Sequence, residues 1–383
     1  MLLLNFIVIR KMLVASLASL LAFSLPLRAE ASGKNDAIGT VLAVIVTQAQ
    51  ARRALNYMDG EGRQELLEEY KKSEGVEDDY GMNAMLGRIM GRMNPIMLRE
   101  NPSLKDKPYN YFVNRQDYFN AFCAIGNNLS VNRGVFDFCQ HNEDEVAAVV
   151  AHELGHGQKR HPQSGAKKTL NLLIAREMLT MGASQGTTAV VGLAANHIKA
   201  SGITKPKEKE ADNLSFGYMA AAGYNVGAPA AVWQRILDKQ DEVKKDFFAA
   251  LLNPSTHPGT KWRRDNFSHK LTEYSNGQVS VEAETGAVKV KGHVFMKPAS
   301  YAGMSGLERA YLIAGRLARL CREDGAVLTG AVADGGAVKI KGAIIVAPGA
   351  GDPDAATLAA KLNGIGTAKP TAEKKQRKTA EPA

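Results

Sequence analysis

The segment "AHELGH" holds His152, Glu153 and His156, residue types and spacings that can bind a metal and activate water on it. An i, i+4 spacing puts both imidazoles on one face of a helix, a turn apart, where they can share one ion. Glu153 is rotated about 100° from His152, which leaves it beside the ion, the place for a general base acting on metal-bound water. Asn142 is a good N-cap for the helix that carries them, Glu145 completes a capping box, and Val146, Val150 and Leu154 repeat at i+4. Gly155 and Gly157 keep the surroundings of His156 small.

Two histidines and a water do not complete a catalytic zinc site, which needs a third protein ligand. A third histidine six residues beyond the second, with a glycine between, would serve, but Lys159 and Pro162 occupy those positions. His161 falls about 140° round the helix from His156 and reads as a structural histidine. The alternative is a glutamate on a separate helix. In "KPKEKEAD", residues 205–212, Pro206 suits the first helical position. Glu208 and Asp212 are i, i+4 and share a face, whereas Glu210 is about 200° from Glu208. With Glu208 as ligand, Asp212 lies one turn on, where it can accept a hydrogen bond from a ligating imidazole and fix its tautomer. Glu210 is then exposed among the lysines.

The elements that must position these residues follow from the pattern around them. Residues 36–110 read mostly as helix; 111–138 change to short β-branched and aromatic runs broken by Gly and Asn, which read as strands. The helix at Asn142 follows, then two or three more from about 167 to 252, making one mainly helical domain over 36–275. Beyond Asn276, "GAVKVKGHVFMKP" (286–298) and "GAVKIKGAIIVAP" (336–348) align at an offset of fifty with seven identities, a small duplicated β-rich module spanning 277–350. Residues 352–383 are rich in Ala, Lys, Pro and Thr without an apolar period and read as a disordered tail.

The chain of 383 residues is 45% hydrophobic with a formal charge of +9. Much of that excess lies at the two termini, and no basic stripe is interleaved with aromatics, so nucleic acid is excluded as a partner. Residues 1–31 read as an export signal: Arg10 and Lys11 precede an apolar run, and "LRAEAS" offers small residues at cleavage spacing. No later stretch is long and apolar enough to span a bilayer, so the mature chain is expected to be soluble. Export permits a disulfide; Cys123 and Cys139 flank a hairpin and are the pair to consider, although buried free thiols are the commoner reading.

HExxH followed some fifty residues later by ExxAD resembles zinc metallopeptidase family 48, which includes the HtpX heat-shock, Oma-type mitochondrial and CAAX prenyl proteases. The resemblance runs from about Asn120 to Arg263 and includes "EKEADNLSFGYMAAAGYNVGAP" and "THPGTKWR" (256–263). Thr204-Lys205 departs from the family's usual Ser-Arg, and the transmembrane helices of its integral-membrane members are absent, so the likeness is to the soluble exported bacterial branch. It implies an α+β, mainly helical zincin-type (gluzincin) domain with a small edge sheet, and one zinc ion per chain on His152, His156 and Glu208. It further implies hydrolysis of misfolded or envelope proteins, with Glu153 as base, in the periplasm of a Gram-negative-type bacterium, with peripheral membrane or envelope association allowed. An extended substrate would add to the strand near Ala124, Gly126, Leu129 and Val131, and His257 and Arg263 are the candidates for cleft or transition-state contacts. The competing reading is a non-catalytic chaperone-like or assembly factor using the same groove; the intact base Glu153 speaks against it. Glu208→Gln is expected to abolish bound zinc and peptidase activity whereas Glu210→Gln changes little, which zinc analysis of the two purified variants checks.

Overall fold

The computed structural model describes residues 55–168, 204–241, 258–323 and 328–369, with isolated residues ahead of Leu55. The expected export signal, residues 169–203 and 242–257 of the helical stretch, His257 and the tail beyond Lys369 lie outside the described residues. The architecture is α+β: among the described residues helices dominate, accompanied by three small three-stranded sheets.

Helix α1 (Arg63–Glu74) is followed by α2 (Tyr80–Glu100). The Asp79 side chain caps α2 by accepting the Met82 N–H at 2.7 Å. Leu86, Ile89, Met90, Met93 and Met97 recur at helical spacing and bury one face of α2. The first sheet has the order β1 (Asn110–Asn114), β3 (Asn128–Asn132), β2 (Ala121–Ala124), with β3 parallel to β1 and antiparallel to β2. This corrects the expected substrate strand. Leu129 and Val131 lie on β3, which is paired on both sides, so neither offers a free edge. Ala124 belongs to the edge strand β2, and Gly126 sits in the turn between β2 and β3 with φ of 81°, a conformation suited to glycine.

After α3 (Arg133–Phe138) comes α4 (Glu143–Gln158), which carries the HExxH residues. Asn142 caps it, its side chain accepting the Asp144 N–H at 3.1 Å. The capping box does not form: Glu145 is buried, and its carboxylate is taken by Arg235. Helices α5 (Lys205–Ala221), α6 (Ala228–Lys239) and α7 (Thr260–Tyr274) complete this half. Cys123, Cys139 and Cys321 are all buried free thiols, so Cys123 and Cys139 are not bridged.

The remaining residues form two copies of one unit. Strands β4 (Val279–Glu282), β5 (Ala287–Val290) and β6 (His293–Met296) make a meander followed by α8 (Gly306–Glu323). Strands β7 (Val332–Asp334), β8 (Ala337–Ile340) and β9 (Ala343–Val346) repeat it, followed by α9 (Ala355–Thr367). The offset of fifty seen in the sequence extends to detail: the register shifts after Val288 in one copy and after Val338 in the other. Helix α9 overturns the reading of 352–383 as wholly disordered. Asp354 caps it through the Thr357 N–H at 2.8 Å, and Leu358, Leu362 and Ile365 bury its inner face. Three apolar anchors in an Ala- and Gly-rich background made too weak a period to read.

Helix α8 packs on β4, β5 and β9 and also on α6 and α7, and one continuous hydrophobic core runs from Met82 to Ile365. At the joint Arg235 of α6 bonds Glu145 of α4 by two contacts of 2.6 and 3.1 Å, and the same guanidinium pairs with Glu308 of α8. All three side chains are fully buried. Burial pushes both carboxyls above the usual carboxylate range despite the shared guanidinium. Among the described residues no helix is long and apolar enough to cross a membrane. Replacing the single cation by an apolar residue would strand two buried carboxylates. Arg235→Met is therefore expected to lose about 3–5 kcal/mol of stability, read from urea unfolding; a loss below about 1 kcal/mol, the worth of an exposed pair, would refute the role of this joint.

Candidate metal centre

The site is built where α4 and α5 touch. A Cβ on Gly155 would sit 3.0 Å from the backbone oxygen of Ala211 and 3.1 Å from its Cα, so only glycine lets the helices approach this closely. Ala211 lies between Glu208 and Asp212 on α5, and the close approach delivers both carboxylates to the histidine face of α4. Gly157 does the same toward the sheet, where a Cβ would collide with the Tyr109 hydroxyl and the Cys123 sulfur. Helix α4 is thus held between α5 and β2.

Three donor atoms converge there. The Nε2 atoms of His152 and His156 are 3.1 Å apart, Glu208 Oε1 is 3.1 Å from His156 Nε2, and Glu208 Oε2 is 3.5 Å from His152 Nε2. Tetrahedral coordination at zinc bond lengths of about 2.0–2.1 Å requires donors roughly 3.3 Å apart, so these residues fit such an ion. His152, His156 and Glu208 are also the group of side chains, among the described residues, whose donor atoms lie within 4.8 Å of one another. Nδ1 of His152 lies 3.0 Å from Asp212 Oδ1. A carboxylate only accepts, so this bond leaves the Nε2 lone pair of His152 directed at the other two donors.

Behind the donors, the arginine that sequence reasoning assigned to the cleft has a different place. Arg263 is buried, its Nε donates to Asp212 Oδ2 at 2.9 Å, its Nη1 donates to Glu208 Oε2 at 3.1 Å, and its Nη2 also pairs with Asp212. Its guanidinium lies 3.9 Å over the Trp233 ring of α6, a cation–π contact. Arg263 therefore fixes the two carboxylates from within. The signal in the sequence was a Trp-Arg-Arg run at the start of a helix, which does not say which arginine turns inward.

The electrostatics follow from this burial. Burial opposes the charge on Asp212, but Arg263 and the bond from His152 outweigh it and hold its carboxyl below the usual range. For His152, burial and Arg263 work against protonation, yet Asp212 and Glu208 raise it to about 9: without a metal, a proton partly serves as the cation this cluster requires. Burial pushes the Glu153 carboxyl up to about 7, with Glu208 adding to the rise and His152 opposing it. Glu153 Oε2 accepts the Cys123 N–H of β2 at 3.1 Å, which anchors the carboxylate to the edge strand. Of the candidate residues the structure brings together His152, Glu153, His156, Glu208, Asp212 and Arg263; Ala124 and Gly126 lie on the neighbouring edge and turn.

A further pair was missed. His161 Nδ1 is 2.9 Å from His156 Nδ1, and His161 Nε2 is 3.0 Å from Glu210 Oε2, whose other oxygen meets Lys159 at 2.9 Å. Burial, then His156, pushes His161 down to about 4, so this ring is neutral. Glu210 is thus partly exposed, as expected, but it is not a bystander among lysines.

Residues 86–270, which include the whole of this centre, match Peptidase family M48. This stretch of the chain thus resembles a peptidase domain of that family. The chain is 28% identical over 141 residues to the beta-barrel assembly-enhancing protease of Escherichia coli (strain K12), a match covering 34% of this chain and 29% of that one. It is 27% identical over 184 residues to the mitochondrial metalloendopeptidase OMA1 of Schizosaccharomyces pombe, covering 44% and 49%. The chain therefore spans between about a third and a half of the length of these relatives. Asp212→Asn is expected to weaken zinc binding roughly 10- to 100-fold in a competition titration against a chelating dye, because its amide no longer enforces the Nδ1–H form of His152.

Proposed function

We propose that the chain is an exported zinc endopeptidase acting on unfolded or envelope polypeptides, with one ion held by His152, His156 and Glu208. One observation carries this reading: three donor atoms at zinc-ligand spacing lie beside a carboxylate, Glu153, raised by burial into the range of a general base. Zinc held there supplies a Lewis acid that polarises a peptide carbonyl and lets water ionise near neutral pH. Glu153 removes the proton from the attacking water and returns it to the departing amine. Asp212 holds His152 in the ligating tautomer, and Arg263 keeps Asp212 ionised and orients both Asp212 and Glu208. The edge strand β2 receives the substrate as an added strand, a mode that depends on main-chain groups and tolerates many sequences; the Cys123 contact keeps the base beside that edge. The names of the matched relatives, a beta-barrel assembly-enhancing protease and a metalloendopeptidase, support a proteolytic role in an envelope setting, and the N-terminal signal pattern supports the periplasm.

The test compares wild type with Glu153→Gln for zinc content and for cleavage of an unfolded protein substrate. Equal zinc, with cleavage by wild type alone, is the expected result. Equal zinc with no cleavage by either would instead favour a protein that uses the groove only to bind extended chains. Metal-free wild type purified and reconstituted in excess zinc would overturn the assignment of the centre.

A further inference from the structure

His152 and His156 are supported differently. The partner of His152, Asp212, is buried and charged, whereas His156 meets another imidazole, His161, and only through it a carboxylate. The hydrogen-bond logic of that second chain runs inward from the surface. Glu210 also pairs with Lys159, and an ionised carboxylate can only accept, so His161 must place its proton on Nε2. A neutral imidazole with Nε2 protonated has a lone pair on Nδ1. The 2.9 Å contact between the two Nδ1 atoms can then be a hydrogen bond only if His156 donates from Nδ1. His156 is thereby left with its lone pair on Nε2, the atom 3.1 Å from both His152 Nε2 and Glu208 Oε1.

We propose that Glu210 and His161 are positioning residues that hold His156 in its metal-binding tautomer, through a relay whose outer end stands at the protein surface. The inference rests on the zinc reading above and adds two residues to it. The opposite arrangement, Nε2–H on His156 donating to Glu208, would satisfy the metal-free site and block it; the relay disfavours that arrangement. His156 and His161 are both buried, at 3% and 4% side-chain exposure, while Glu210 and Lys159 are 43% and 44% exposed. The retention of a buried ion thus depends on a pair of groups in contact with water.

Two measurements test the relay. In metal-free protein carrying 15N-labelled histidine, long-range NMR couplings distinguish the two tautomers, and His156 is expected to be protonated on Nδ1. His156 protonated on Nε2 in wild type would overturn the proposal whether or not the protein holds zinc. In zinc competition, His161→Phe keeps the ring volume but removes the acceptor and is expected to weaken binding about tenfold. His161→Asn, whose amide oxygen can stand near the lost Nδ1, is expected to restore most of it. His161→Phe binding zinc as tightly as wild type would overturn the relay while leaving the zinc site intact. Should His161→Phe not fold, Glu210→Leu at the exposed end carries the same test: weaker zinc binding with an unchanged melting curve of the metal-free protein is expected, with Glu210→Gln, which keeps an acceptor, near wild type. Unchanged zinc affinity in Glu210→Leu would overturn the proposal.

Discussion

The centre depends on how closely two helix backbones approach at Gly155 and Ala211. Side chains of α4 supply the two nitrogen donors and Glu153; the third donor, Glu208, and the supporting Asp212 come from across that contact. A methyl group at Gly155 would push α5 away by a fraction of an ångström, and carboxylates placed at 3.1 Å from their partners tolerate little displacement. The rest of the site reinforces the same approach. Arg263 and Trp233 brace α5 from behind, β2 and Gly157 brace α4 from the other side, and the Arg235 joint fixes the first turn of α4 against α6 and α8.

Charge is distributed so that each buried carboxylate has a designated counterpart. Asp212 has Arg263, and Glu145 and Glu308 share Arg235. Glu208 divides its oxygens between Arg263 and the histidines. The guanidiniums of Arg235 and Arg263 are therefore structural in one case and metal-supporting in the other, and both lie within hydrogen-bond reach of more than one carboxylate. Arginine suits this better than lysine because its planar fork can serve several oxygens at fixed angles.

What could be read in advance was whatever a single helix determines. His152, Glu153 and His156 share a face by spacing alone, and the phase of Asp212 favoured Glu208 over Glu210. The choice of partner across an interface is not periodic, and the misreadings lie there. Glu145 fitted a capping box on local grounds but was claimed by Arg235 from another helix. Arg235 itself sits one turn after Ala231 and beside Ile236 on a buried face, so a charge at a core phase was the available sign of a buried pair. The β-branched and aromatic runs within 111–138 implied short strands, and β1, β2 and β3 form there, yet local sequence cannot distinguish a middle strand from an edge. His161 was read as a structural histidine, but its 140° offset concealed that it reaches His156 from beyond the helix end.

The duplicated unit has its own consequence. Helix α8 lies on the first sheet and also touches β9, and α9 lies on the second sheet and also touches β6. Each copy thus borrows part of its cover from the other, so the pair behaves as one folding unit rather than two beads on a string. Such an exchange makes duplication hard to reverse in evolution, since deleting either copy would strip its sibling. The load is nonetheless unequal: Glu308 ties the first copy to Arg235 of α6, and through it to the helix bearing the histidines, while at an offset of fifty the second copy has Leu358 in that place. The second copy can therefore diverge on its outer surface, provided it goes on clasping the first.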